Sequence, residues 1–374
     1  MFIDEVYERI DFLETVEKIS GISRTAVERI LSGRSFDISA LPALLSPAAA
    51  DYIEQMAQIA AERSRERFGN TILLYAPLYL SNECINGCRY CGFSAINKNL
   101  RRRTLTISEV EREFGAIIKT GIKHILLVSG EQPIKVNIEY LKEVIGLGVD
   151  AASSLGIEIY PLDIDDYKTL SDCGAENLVI YQETYEQKRY RQVHPSGKKK
   201  NIFWRIAAPD WAGIAGFWGF GVGALLGLNE NAAADVYFAA LHADYLRNRY
   251  WRANISISLP RLRYAENLFK PHAVTDAKFV QYLLALRIVF YDIGLTLSTR
   301  ETSALRDNLI GLGITQLSAA SKTEPGGYTE KSYATPQFYV EDSRSVEEVL
   351  AMLKDKGFEG VAKDSWRQDI RAQR

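Results

Sequence analysis

Short apolar runs recur from Thr71 onward, at 72–80, 124–129, 157–162, 177–182, 217–223, 255–260, 295–299 and 314–318. Most are near-continuous, the pattern of strands covered on both faces. Most of the intervals between them carry helical spacing, clearest over 232–250 and 276–291, and Ser108 to Glu111 reads as a capping box opening another. Eight strands alternating with helices predict an α/β fold, the (β/α)8 barrel, although the pattern leaves closure of the ring open. Residues 1–70 read as a helical extension: Ser46 caps and Pro47 begins a segment in which Ile53, Met56, Ile59 and Ala60 recur, and Gly69 stops it. No Pro/Gly/Ser-rich linker divides the chain. The expected organisation is an extension over 1–70, a barrel over 71–330 and a C-terminal helical segment over 331–374 packed on it.

The first apolar run ends in the loop NECINGCRYCGFS, and Pro77 within the run is expected to mark the end of regular pairing. The loop holds Cys84, Cys88 and Cys91, three of the chain's 4 cysteines, in C-x3-C-x2-C spacing. Thiolates gathered on a short loop suit a soft metal centre. Three ligands fill three corners of a four-iron cluster and leave one iron open to a small molecule. Structural zinc would show paired C-x2-C halves or added histidines, and His124, His194, His242 and His272 are scattered. A disulfide framework does not suit a chain of 374 residues with 4 cysteines. Cys173 precedes the fourth run and is expected at the opposite end of the barrel as a small buried or half-buried thiol.

Composition narrows the class little. The chain is 47% hydrophobic and 25% charged, ordinary for a globular protein, and its net charge of −2 makes no case for nucleic acid or an acidic membrane. The first residues carry acids and no apolar signal core, and no apolar run is long enough to span a bilayer. Unpaired cysteines fit a reducing cytoplasm.

In a barrel of this kind chemistry sits where strands end, on one face. The proposed ends carry Ser129-Gly130-Glu131, Gln182-Glu183-Thr184-Tyr185, the glycines from Gly219 to Gly223, Pro260 to Arg263, Ser298 to Glu301, and Ser318 to Lys322. Gly130 beside Glu131 suits a ligand ammonium, or a simple turn. The glycines admit a ligand ring, or tight strand packing. Arg300 offers a planar fork for a carboxylate, or an ion pair with Glu301. The basic runs 101–103 and 198–200 read as solvated surface or helix ends.

The stretches LLSPAAADYIEQMAQIA, RFGNTILLYAPLYLSNECINGCRYCGFS, HILLVSGE, YQETY, VGALLGL, SISLPRLR, LSTRE and SAASKTEPGGY, in this order from Leu44 to Tyr328, resemble the aromatic amino acid lyases of the radical S-adenosylmethionine (SAM) superfamily. Within that group they are most similar to the tyrosine lyases that make 2-iminoacetate for thiazole and thiamine biosynthesis. The resemblance implies a [4Fe–4S] cluster on Cys84, Cys88 and Cys91, with SAM chelated to its open iron. Tyr90 would lie near the adenine, Ser129, Gly130 and Glu131 would meet the methionyl ammonium, and Glu183 would face the ribose. Lys199 or Arg205 would reach the SAM carboxylate, while Arg300 and Ser318 would anchor the substrate carboxylate.

A 5′-deoxyadenosyl radical would take hydrogen from the amino group of L-tyrosine, and Cα–Cβ cleavage would give 2-iminoacetate and p-cresol. Implied partners are thiazole synthase and a low-potential electron donor such as flavodoxin or ferredoxin. The alternative is a radical SAM lyase or synthase acting on tryptophan or another small substrate. Trp211, the tract 215–221 and Tyr264 depart from the family pattern. With no cysteine beyond Cys173, onward conversion to carbon monoxide and cyanide is not expected.

Overall fold

The computed structural model describes residues 1–33, 35–263, 269–329 and 332–361. Tyr264, one of the departures, lies outside them. The strands are β1 (Thr71–Ser81), β2 (His124–Ser129), β3 (Ser154–Glu158), β4 (Asn177–Val179), β5 (Gly219–Gly223), β6 (Asn254–Ser258), β7 (Gly294–Leu297), β8 (Gln316–Ser318) and β9 (Glu359–Val361). All pair in parallel. β2 to β8 follow chain order and β1 bonds both β8 and β2, so eight strands close into a barrel. β9 pairs with 71–73 of β1, below the point where β2 joins at Ala76.

Strand alternation decides what faces the lumen. Leu74, Ala76, Leu78, Ile125, Leu127, Leu155, Ile157, Leu178, Ile257, Leu295 and Leu317 are buried in the core shared with the surrounding helices. The alternate positions turn inward. In the lower half they are Ser154, Gly156, Asn177, Ser256, Thr296 and Gln316, which line a space in the lumen. Tyr75, Leu126, Tyr181 and Ser258 separate it from the mouth, lining both spaces. The glycines of β5 serve packing: a Cβ on Gly223 would stand 1.9 Å from the Ser258 carbonyl oxygen.

Several boundaries differ from the sequence expectation. β1 runs through Pro77, which pairs with Leu126. Tyr75 accepts from Ala319 N–H on the β8 side. Two residues on, Pro77 faces the same side after β8 has ended, so its missing N–H breaks no ladder; its carbonyl accepts from the Tyr328 hydroxyl at 2.8 Å. β3 begins at Ser154, three residues before the expected start, and ends at Glu158. β5 begins at Gly219 because Phe217 N–H bonds back to the Ala212 carbonyl and closes the preceding helix, Ile202–Ile214.

The capping box opening the helix Ile107–Lys119 is Thr106 with Glu109, not Ser108 with Glu111: the Glu109 carboxylate accepts from Thr106 N–H at 2.7 Å. Ser46 is not a side-chain cap either. Its hydroxyl donates back to the Ala43 carbonyl, and Pro47 starts a 3-10 turn that becomes the helix Ile53–Phe68. The N-terminal residues 1–70 form short helices, of which Leu41–Leu45 and Ile53–Phe68 pack against the helix Asp276–Val289. Beyond 331, the described residues hold the helix Val346–Asp355 and β9. Among the described residues no helix is long and apolar enough to cross a membrane.

Candidate active site

β1 delivers its C-terminal end straight into the cysteine loop, and Asn82 ties the base of that loop. Its side chain donates to the carbonyls of Arg101 and Thr335 at 2.9 and 3.0 Å and accepts from Arg103 N–H at 2.7 Å. Arg102, expected as solvated surface, instead crosses the loop and donates to the carbonyls of Asn82, Phe93 and Ser94. Arg103 is buried beside Glu109, at 2.6 Å. These are the contacts a loop carrying ligands needs in order to hold one shape.

Cys84, Cys88 and Cys91 line one solvent-open cavity of about 580 Å³, together with Ser129, Gly130, Glu131, Glu158, Glu183, Lys199 and Arg205. Backbone N–H groups of Asn86 and Phe93 point at the Cys84 and Cys91 sulfurs, both at 3.4 Å, an arrangement that favours thiolates. Burial pushes the Cys88 thiol up to about 12 and Cys91 to about 11, and a metal centre binds such sulfurs by displacing their protons. Among the described residues no three His, Cys, Asp or Glu are drawn together as around a single metal ion. Three sulfurs on one roomy cavity fit a cluster that draws three ligands from the protein. Cys173 ends the helix Ile164–Asp172 before β4, half-buried.

Gly130 is required by the loop itself, since a Cβ there would meet the Glu83 carbonyl oxygen at 2.4 Å. Ser129 donates to the Gly130 carbonyl, and the buried Glu131 accepts from Asn86 Nδ2 at 2.6 Å. Across the cavity Glu183 sits at φ 75°, a conformation costing about 1–3 kcal/mol for a residue with a side chain. Leu225 N–H bonded to the Glu183 carbonyl holds it there, and the Lys199 ammonium meets its carboxylate at 2.6 Å. Arg205 lies 3.6 Å from the same oxygen and donates through Nε to the Tyr181 carbonyl. Burial raises the Glu183 pKa, but Lys199 and Arg205 outweigh it and hold the carboxylate at about 2. The half-buried Lys199 therefore belongs to an ion cluster with the buried Glu183 and Arg205 and is not simple solvated surface.

Tyr90 is buried, with its hydroxyl 2.9 Å from His194 Nε2. His194 Nδ1 donates to the Tyr190 carbonyl, and burial lowers its pKa to about 3, so the imidazole is neutral and accepts from Tyr90. Arg300 and Ser318 line a third part of the mouth with Tyr75, Tyr79 and Glu158. Glu301 is engaged by both Arg261 and Arg263 and does not pair with Arg300. The Arg300 guanidinium stacks 3.4 Å from the centroid of Phe338 and has no carboxylate partner among the described residues. Ser318 Oγ accepts from Thr299 N–H at 3.1 Å.

The expected site residues thus gather at one mouth. Trp211 does not join them: it packs 4.5 Å from Trp204. Phe220 and Gly221 of the divergent tract line the lower lumen cavity. Sequence reading missed Glu158, Asn86, His194 and Gln337. Placing the third strand over 157–162 put Glu158 at its beginning, whereas β3 ends on it at the mouth, and Gln337 lies where the sequence offered no motif.

The chain is 43% identical over 352 residues to 2-iminoacetate synthase of Salmonella typhimurium, covering 93% of each chain. It is 40% identical over 359 residues to 2-iminoacetate synthase of Escherichia coli, covering 96% of this chain and 95% of that one. The chain belongs to the 2-iminoacetate synthase family. Residues 78–238 match the family model of the radical SAM superfamily, and residues 258–359 match that of the Biotin and Thiamin Synthesis associated domain. The crystal structure of the FeFe-hydrogenase maturase HydG from Carboxydothermus hydrogenoformans superimposes with a TM-score of 0.88 at 32% identity, covering 98% of this chain and 86% of that chain. In this family member, as across the superfamily, the working cofactors are a [4Fe–4S] cluster and SAM, which suits the cysteine cavity.

Proposed function

We infer that the protein is a radical SAM carbon–carbon lyase that cleaves the Cα–Cβ bond of L-tyrosine to 2-iminoacetate and p-cresol for thiazole and thiamine biosynthesis. Near-full-length identity to two 2-iminoacetate synthases carries this reading. Cys84, Cys88 and Cys91 hold the cluster in it. When bound, the cluster and SAM supply a 5′-deoxyadenosyl radical by one-electron cleavage.

The chain's own residues position the reactants. Ser129, Gly130 and Glu131 form the wall for the SAM ammonium. Glu183 faces the ribose, with Lys199 and Arg205 neutralising it and standing near the SAM carboxylate, and Tyr90 walls the adenine. Arg300 and Ser318 take the tyrosine carboxylate. Their support is shared placement at one mouth and an arginine fork whose sequence neighbour is already paired elsewhere. Arg300 and Phe338 offer a site for a carboxylate attached to an apolar body.

The reading places the enzyme in the cytoplasm, with thiazole synthase consuming 2-iminoacetate and a low-potential donor such as flavodoxin or ferredoxin supplying electrons. It treats 1–70 as an extension, 71–330 as the barrel and 331–374 as a C-terminal segment, the last supported by the pairing of β9 with β1. The test is anaerobic reconstitution with iron, sulfide, SAM and a reductant, followed by product analysis with tyrosine, tryptophan and phenylalanine separately. Tyrosine should give p-cresol. A carbon–carbon cleavage product from tryptophan and none from tyrosine would assign the alternative substrate.

A further inference from the structure

Glu158 is an ionisable group that the roles above leave unused. It ends β3, and alternation turns it into the barrel mouth. The mouth has three adjoining parts: the cysteine cavity, a space beside Tyr90 and Arg263, and the chamber of Arg300 and Ser318. Glu158 and Gln337 alone among the described lining residues border all three. Gln337 accepts from the Tyr79 hydroxyl at 2.7 Å. Glu131, Glu183 and Glu301 each have a donor on the protein. The Glu158 carboxylate has neither hydrogen bond nor ion pair among the described residues.

A shielded carboxylate without a partner is costly, and the cost is offset when a bound molecule brings a cation or donor to it. Burial and the Glu183 carboxylate push Glu158 up to about 7, against Arg300, Arg205 and Lys199, which pull it down. Tyr75, Tyr79 and Tyr181 also face it, all held protonated by burial, and Tyr90, Cys91, Arg263, Glu131 and Tyr160 line the same spaces. β3 and β7 stand opposite one another in the ring of eight, so Glu158 and Arg300 face each other across the mouth. They are near enough that each shifts the other's ionisation. An amino acid whose carboxylate lies on Arg300 carries its ammonium on the adjoining α-carbon, in the spaces that Arg300 and Glu158 both border.

We propose that Glu158 is the base that takes a proton from the ammonium of the amino acid held by Arg300. This rests on the lyase reading for its substrate class. One ammonium N–H bond breaks, its electron pair stays on nitrogen, and the proton passes to a Glu158 oxygen, giving a carboxylic acid and a neutral amine. No electron is gained or lost. The neutral amine is the form that yields a hydrogen atom and leaves the spin beside the Cα–Cβ bond. The place of Glu158, between cofactor cavity and substrate chamber, is where that amine has to be formed.

The test combines Glu158→Gln with ligand truncation. In the reconstituted variant, iron content and SAM binding should match wild type. Calorimetry should show tyrosine affinity falling about tenfold or more, while 3-(4-hydroxyphenyl)propionate, which lacks the amine, binds both proteins alike. Turnover at pH 7 should fall about 10²–10⁴-fold, the usual range for a lost general base. It should then rise about tenfold per pH unit until the free amino acid's own ammonium deprotonates, whereas wild type levels off once Glu158 is ionised. Glu158→Asp keeps a carboxylate and should keep the wild-type plateau.

Equal loss of tyrosine and 3-(4-hydroxyphenyl)propionate, with phenylalanine unaffected, would move Glu158 to the phenol and overturn the proposal. Unchanged affinities and pH profile would overturn it as well. If wild-type protein binds tyrosine but yields no p-cresol, the lyase reading fails, while the ligand comparison still decides whether Glu158 meets the amine.

Discussion

Glu301 takes Arg261 and Arg263 as partners, and the neighbouring Arg300 faces the mouth with Phe338 beneath it. Burial lowers the Arg300 pKa, the direction expected for a cation awaiting an anion. A planar fork fixes both the position and the rotation of a carboxylate, and an ammonium cannot do the second. Arg300→Ala should therefore weaken tyrosine binding by about 3–5 kcal/mol, two to four orders of magnitude, with iron content unchanged. Arg300→Lys should lose less affinity but release deoxyadenosine with little p-cresol, because the substrate is no longer held in line. Equal tyrosine affinity in all three proteins, measured by calorimetry, would make Arg300 structural. Glu183 makes a second residue-scale case. Glu183→Gln leaves the buried Arg205 and the half-buried Lys199 without a counter-charge, and SAM affinity should drop at least tenfold while the cluster still assembles. An unchanged SAM dissociation constant would remove Glu183 from the cofactor site.

Among the elements, the loop after β1 and the segment after β8 carry the site, and each is held by charged side chains outside it. In the loop, Cys84→Ala, Cys88→Ala and Cys91→Ala should each lose the roughly four irons of a single cluster, and Cys173→Ala should keep them. Iron analysis after anaerobic reconstitution decides this, and loss in the Cys173 variant would contradict the assignment. Behind β8, the buried Arg306 pairs with buried Asp342 and donates to the Ser318 carbonyl. Asp342→Ala strands that guanidinium and should cost about 3–5 kcal/mol in urea unfolding; a change under about 0.5 kcal/mol would show the pair to be dispensable.

Strand existence and order were legible because inward and outward residues of a closed barrel leave apolar runs at regular spacing. Cys84, Glu183 and Arg300 were legible as residues at strand ends. Glu158 was not, since a strand expected over 157–162 puts it at the beginning, whereas β3 ends on it. Arg102 and Asp342 were not, because their partners are backbone atoms or side chains distant in the chain, which spacing does not encode.

At the scale of the whole molecule, closure of the ring by β1 between β8 and β2 brings residues from 84 to 338 to one mouth. That mouth divides into a cofactor cavity and a substrate chamber, with Tyr75 and Tyr181 beneath the chamber and a polar lumen below them. Holding both reactants in adjoining spaces turns a bimolecular hydrogen transfer into a local one, the main advantage a protein can give a radical reaction. Cofactor cleavage and substrate cleavage are therefore expected to be coupled. The decisive measurement is an anaerobic single turnover of the reconstituted protein with one equivalent of SAM, excess L-tyrosine and a chemical reductant, with all products quantified by mass spectrometry. The expected result is p-cresol and glyoxylate, the hydrolysis product of 2-iminoacetate, in amounts equal to each other and to 5′-deoxyadenosine. Deoxyadenosine formed without p-cresol, or in the same amount when tyrosine is omitted, would contradict it.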